Sequence, residues 1–119
     1  MKKYCLALDL VDDKELIAEY EAYHKEVWPD IKKSITDAGI DQMEIYRTSN
    51  RLFMIMEVND SFSAEAKKQA DDANPKVQEW EQLMWKYQQA LPTAKPGEKW
   101  VLMDKIFNLN NSNNWLYGK

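Results

Sequence analysis

The sequence predicts an α+β sandwich, an antiparallel sheet with helices packed on one face. Three observations carry that prediction. Apolar runs with β character lie at 4–10, 43–48, 52–58 and 99–107, and apolar residues at helical spacing fill the first and last intervals. Only Ser49, Asn50 and Arg51 join the middle two runs, a connection short enough to make them an antiparallel hairpin. The resulting order is strand, helices, strand, strand, helices, strand, the split βαβ pattern of a ferredoxin-like sandwich.

Each element has a local cause. The run 4–10 is apolar except for its charged Asp9, and Asp12, Asp13, Lys14 and Glu15 follow as a helix start resembling a capping box. Leu16, Tyr20, His24 and Val27 then recur at helical spacing. Pro29 suits the first turn of a second helix, where its missing N–H is no loss. That helix turns Ile31, Ile35 and Ala38 inward and stops at Gly39. After the hairpin, 62–72 reads as a polar helix, and Pro75 opens a longer one whose stripe is Val77, Trp80, Met84 and Tyr87. Pro92, Pro96 and Gly97 mark a loop before the last strand. Residues 1–109 form the expected single domain, and the Asn-rich stretch 110–119 reads as a frayed tail with Trp115 and Tyr117 in it.

Both parities of the strands are apolar. Leu6 and Leu8 alternate with Cys5 and Ala7, Phe53 and Ile55 with Met54 and Met56, and Leu102 with Val101 and Met103. Helices can cover one face of such a sheet. The other face needs a second cover, and the expected cover is another copy of the chain, a homodimer.

Composition excludes several function classes. The formal net charge is −4, from 16 basic and 20 acidic residues spread along the chain, so a nucleic-acid partner is not expected. No apolar stretch approaches the length of a membrane span, and Asp9 interrupts the N-terminal run where a signal peptide would stay apolar. Cys5 stands alone, which rules out an internal disulfide and fits a reducing, cytoplasmic setting. The chain has no Gly-rich phosphate loop, no Cys or His cluster at metal spacing and no nucleophile elbow, so neither metal nor redox cofactor is expected.

What remains for chemistry is His24, the only histidine, with Tyr20 four residues before it and Trp28 four after. Residues four apart lie one above the other on a helix, so a phenol and an imidazole would sit side by side. Imidazole exchanges a proton near neutrality. Spacing alone leaves two readings of His24, a helix histidine bonded to a carbonyl or a proton-transfer group. Trp28, Trp80, Trp85 and Trp100 are candidate ring-stacking surfaces, although Trp80 and Met84 at helical spacing also suit a core. Asp9 and Glu57 each interrupt an apolar strand and are either structural charges or polar groups in a cavity.

Four segments, in order, resemble the L-rhamnose mutarotase family. They are Tyr-x-x-x-His-x-x-x-Trp-Pro across 20–29, Met43-Glu44-Ile45-Tyr46, the strand 52–58, and Met84-Trp85-Lys86-Tyr87. The resemblance implies a dimeric ferredoxin-like fold of the α/β-barrel type. It also implies an enzyme that interconverts the α and β anomers of a 6-deoxy-L-sugar by acid–base ring opening, without cofactor or metal. On that likeness His24 is the proton donor, Tyr20 contacts the sugar, and Trp85 belongs to an aromatic substrate wall. The rhamnose branch would place tyrosine at Met43 and a second tryptophan at Met84, and these departures bear on which sugar is bound. The chain is also similar to the branch that acts on L-fucose, the expected substrate in preference to L-rhamnose. The acceptor opposite His24 is left open among Asp9, Glu57 and a bound water. Two rival readings use the same dimeric scaffold: a haem-dependent monooxygenase, and a module that binds a small ligand without turning it over.

Overall fold

A computed structural model of the chain describes residues 2–111. Its elements are β1 (Lys2–Leu10), α1 (Lys14–Lys25), α2 (Pro29–Asp37), β2 (Ile40–Thr48), β3 (Arg51–Val58), α3 (Ala64–Asp72), α4 (Pro75–Trp85), β4 (Gln88–Gln89), β5 (Val101–Leu102) and a 3-10 turn, Leu109–Asn111. All pairings are antiparallel, in the order β2-β3-β1-β4, with β5 also on β1. This is the ferredoxin-like arrangement, and the sheet of one chain is open.

The register decides which side chains meet the helices. Leu6 pairs with Met54, Leu8 with Leu52 and Tyr4 with Met56, while Met43 and Ile45 of β2 pair with Met56 and Met54. Because successive side chains alternate, these residues share one face. There Leu10 and Leu52 pack with Tyr20, Ile31, Val77, Trp80, Met84 and Tyr87 into the buried cluster beneath the helices. The opposite face carries Cys5, Ala7, Phe53 and Ile55, all half-buried, with the exposed Tyr46 and Met103 beside them.

Local chemistry starts α1, α2 and α4 where the sequence suggested. The Asp13 carboxylate accepts from the amides of Glu15 (2.9 Å) and Leu16 (3.1 Å), so two N–H groups without helical partners are satisfied. Ser63 caps α3 and Asn74 caps α4 in the same way. Pro29 and Pro75 occupy the first turns of α2 and α4. In the hairpin, Ser49 takes the left-handed φ of 52° that a two-residue turn demands. The turn is anchored to β1, because the Leu10 amide donates to the Asn50 carbonyl (2.6 Å) and Asn50 Nδ2 donates to the Leu10 carbonyl (3.1 Å).

Several boundaries differ from the sequence reading: α1 ends at Lys25 and α4 at Trp85, so Val27 and Tyr87 of the expected stripes lie just past their helices. The expected strand over 99–107 is only Val101–Leu102, and β4 at Gln88–Gln89 takes the other end of the same edge of β1. The second strand begins earlier, at Ile40, with a bulge before Gln42. The polar helix begins at Ala64 because Ser63 caps it, after the expected start at 62. Asn110 and Asn111 belong to the 3-10 turn, whereas Trp115 and Tyr117 of the expected tail lie outside the described residues. Among the described residues, no helix is long and apolar enough to cross a membrane.

Gly39, which ends α2, has φ of 97°, and a Cβ there would sit 2.7 Å from Ser61 Oγ and 2.8 Å from Asn59 Oδ1. Those two atoms are themselves hydrogen-bonded, so neither is free to move away. Gly39→Ala is expected to lower stability by about 1–3 kcal/mol, read as a reduced urea midpoint with an unchanged slope.

Candidate active site

Between the helices and the sheet, away from the densest packing at Leu8, Leu10 and Leu52, lies a cleft of about 540 Å³. That volume suits a small organic ligand. Its floor is aliphatic and thioether, from Leu6, Met43, Ile45, Met54 and Met56. Helices supply the other walls, with Tyr20 and His24 on α1, Ile31 and Ile35 on α2, and Trp80 and Met84 on α4.

The helical spacing of Tyr20 and His24 places their rings against each other, with centroids 4.4 Å apart. His24 Nδ1 lies 2.8 Å from the carbonyl oxygen of Tyr20. A carbonyl only accepts, so Nδ1 carries the proton and Nε2 is the nitrogen left to take or give one. The edge of Trp80 closes the other side of the imidazole at 5.7 Å. The ring is thus held in both tautomer and orientation. Tyr20 is buried, which raises its phenol pKa, while a hydrogen bond from Gln88 Nε2 (3.3 Å) pulls the other way. At neutral pH it is a phenol with a proton to donate.

The candidate residues divide sharply. Tyr20, His24, Met43 and Met84 line the cleft; Trp28 and Trp85 do not. Trp28 stands behind Trp80, with ring centroids 5.0 Å apart, and so buttresses the wall from outside. Trp85 follows Met84 by about a 100° step around α4, which turns it outward to 42% exposure, with Lys99 Nζ 4.9 Å above its ring. Lys99 lines the cleft, so Trp85 borders it only through that side chain.

Asp9 and Glu57 fall on the sheet face away from the cleft. Asp9 is buried there in a two-bond ion pair with Arg51, Nε–Oδ1 2.7 Å and NH2–Oδ2 3.1 Å. Glu57 pairs across β1 with Lys3, two residues along the same face as Ile55. Strand alternation excludes both from the site. The polar groups that do line the cleft were not singled out in the sequence: Ser34, Lys67, Asp71, Glu81, Gln88 and Lys99. Six come from five segments of the chain, so no linear motif announces them.

The profile of the L-rhamnose mutarotase family matches residues 3–109. The chain belongs to that family. An L-fucose mutarotase from Xanthomonas campestris pv. campestris is 45% identical over 114 residues, 94% of this chain and 91% of that protein. An L-rhamnose mutarotase from Phocaeicola vulgatus is 32% identical over 96 residues, 77% of this chain and 85% of that one. Among solved structures, L-rhamnose mutarotase FA22100 from Formosa agariphila superposes with a TM-score of 0.68 at 18% identity, covering 92% of this chain and 99% of its own. This mutarotase-family chain keeps its helix layer on a single sheet face.

In the buried cluster beside the cleft, Tyr87 donates a hydrogen bond to Glu19 Oε1 (2.9 Å). That bond, aided by burial, pushes the phenol pKa up to about 12. The folded chain therefore holds this proton more tightly than the unfolded chain, where tyrosine titrates near 10. The resulting stabilisation is complete below about pH 10 and is lost as pH rises through about 12. Urea titrations across that window are expected to show falling stability, with a shallower fall in Tyr87→Phe.

Proposed function

We propose that the chain catalyses anomer exchange of a 6-deoxy-L-hexose, with L-fucose preferred over L-rhamnose, and that His24 is its proton donor. The observation that carries this reading is the oriented Tyr20–His24 pair opening onto a cleft of monosaccharide size. The preference for L-fucose is supported by the 45% identity to a protein of that name, against 32% for the rhamnose relative. Methionines at 43 and 84 support it too, since a thioether lacks the hydroxyl or N–H with which tyrosine or tryptophan would read a sugar hydroxyl.

In this mechanism the imidazolium of His24 donates from Nε2 to the ring oxygen O5 as the C1–O5 bond breaks. The O1 hydroxyl gives its proton to an acceptor on the other side of C1, and C1=O1 forms. Rotation about C1–C2 presents the other carbonyl face. The O5 hydroxyl then returns its proton to His24 as it attacks C1, while O1 is reprotonated. Of the three acceptors open from sequence, a bound water is the one compatible with Asp9 and Glu57 lying across the sheet. Tyr20 orients a hydroxyl beside the imidazole. Positioned acid–base groups of this kind contribute on the order of 10² to 10⁴ in rate.

Saturation-transfer NMR on the anomeric protons of L-fucose and L-rhamnose tests the activity directly. Acceleration is expected for both, greater for L-fucose, and His24→Ala is expected to remove most of it while the melting temperature stays within a few degrees. Unchanged exchange with the wild-type chain would refute the reading, and sugar affinity without acceleration would make the cleft a binding module.

The second face of the sheet supports a homodimer, with Phe53, Ile55, Ala7 and Tyr46 as the apolar patch that a second copy would cover. Two sheets stacked in this way give the dimeric α/β-barrel arrangement. Light scattering at micromolar concentration is expected to return about twice the 14.1 kDa chain mass; a monomeric mass would overturn the assignment. The lone Cys5 supports a cytoplasmic setting.

A further inference from the structure

Helix α3 is anomalous as a structural element. It has no fully buried residue, yet two of its side chains, Lys67 and Asp71, line the cleft. It carries two ion pairs of the same spacing. Lys68–Asp72 faces solvent, with side chains 76% and 60% exposed. Lys67–Asp71, one residue earlier, is turned inward at 21% and 17%, with Nζ 2.7 Å from Oδ2.

Helix stability does not account for that inward pair. Asp71 is the penultimate residue of α3, where the helix dipole is negative and disfavours a carboxylate. The order Lys then Asp at i,i+4 is also the weaker orientation. Withdrawing both charges from water costs free energy that a solvated pair such as Lys68–Asp72 avoids. The position is nonetheless fixed, because Gln78 Nε2 of α4 donates to the Asp71 carbonyl at 2.9 Å and ties the end of α3 to the wall that bears Trp80 and Met84.

We propose that Lys67 and Asp71 form the pair that reads the sugar's hydroxyls and sets its orientation over His24. A carboxylate offers about four lone-pair sites, and an ammonium three donors. One contact between them leaves acceptors on Asp71 for neighbouring hydroxyls and donors on Lys67 for a hydroxyl oxygen. Lys67 holds the Asp71 carboxylate in place, so the acceptor is ready before the sugar arrives. The floor opposite is aliphatic and thioether, which makes this pair a principal source of hydroxyl recognition in the cleft. Its role is binding and specificity, and it rests on the mutarotase reading above.

The experiment compares Asp71→Asn and Lys67→Met with Asp72→Asn and Lys68→Met, measuring anomer exchange of L-fucose and L-rhamnose over a range of sugar concentration. Asp71→Asn is expected to raise KM for L-fucose by about tenfold and to shrink the preference for L-fucose over L-rhamnose. Its kcat should change much less, and its melting temperature should stay within a few degrees. Lys67→Met should move KM and preference in the same direction, and it provides the test if Asp71→Asn does not fold. The two outward variants should stay within about twofold of wild type in every quantity. An inward variant that folds and keeps wild-type KM and sugar preference overturns the inference while mutarotation stands. A wild-type chain that accelerates neither sugar overturns the mutarotase reading itself, and this proposal with it.

Discussion

The pairing register of β1 with β3 is the constraint from which the site follows. Eight residue pairs run from Lys2–Val58 to Asp9–Arg51, and a slip of one would send every side chain of a strand to the other face. Two features pin the register at one end. The Asp9–Arg51 ion pair joins directly opposed residues, and the paired hydrogen bonds between Leu10 and Asn50 fix the hairpin turn against the end of β1. A slip would leave Asp9 buried without its guanidinium, a penalty of several kcal/mol. The same register puts Leu6, Met54 and Met56 under the helices and Ile55 and Glu57 beyond them.

The cleft arises because the two layers are packed unequally along the strands. At the end where β1 meets the hairpin turn, Leu8, Leu10 and Leu52 are completely enclosed, and Tyr87 closes the layer with its bond to Glu19. Between there and the buried Ile40 and Val58 at the far end of the strands, Met43, Ile45, Met54 and Met56 line a space shared with the helices. Aromatic edges give this space a stiff wall. Trp28 backs Trp80, Trp80 backs His24, and His24 lies on Tyr20, so the imidazole is located by a continuous chain of ring contacts. Held in this way, a proton-transfer group loses little freedom when a substrate binds.

Sequence revealed those parts of the fold that depend on near neighbours. Asp13, Pro29, Gly39, Ser49-Asn50 and Pro75 each act within a turn of chain, and Val77, Trp80 and Met84 of the α4 stripe are buried as their spacing requires, with Tyr87 buried in the turn that follows. The last strand was overread because the apolar pattern of 99–107 says nothing about which edge remains free. β4 and β5 divide the available edge of β1 between them, and Met103 onward runs past it. Cleft-lining residues were legible where they followed helical spacing, as Tyr20 and His24 did. Trp85, assigned to a substrate wall by resemblance, stands outside the cleft lining because one step around the helix from Met84 turns it outward. The parity of Glu57 and Asp9 was knowable in principle, but which parity faces the helices depends on the register. Lys67 and Asp71 gave no signal at all, since 67–71 and 68–72 look identical in sequence.

The contrast between an apolar floor and helical walls that also carry polar side chains bears on the 6-deoxy-L-hexose proposed as the ligand of the cleft. A hexose presents a C6 hydroxyl where its 6-deoxy counterpart has a methyl group. Against Leu6, Ile45, Met54 and Met56 the methyl displaces water at a gain of roughly 0.8 kcal/mol per buried carbon, and the flexible thioethers can close around it. A hydroxyl at the same place would lose its water partners and find no acceptor on that floor, a penalty of about 1–3 kcal/mol. Hydroxyls on the remaining ring carbons would not meet that problem, because Ser34, Lys67, Asp71 and Glu81 stand on the helices across from the floor. Under the proposed function, the apolar floor would select the methyl-bearing edge and turn the hydroxylated edge towards the helices, the layer that also carries His24.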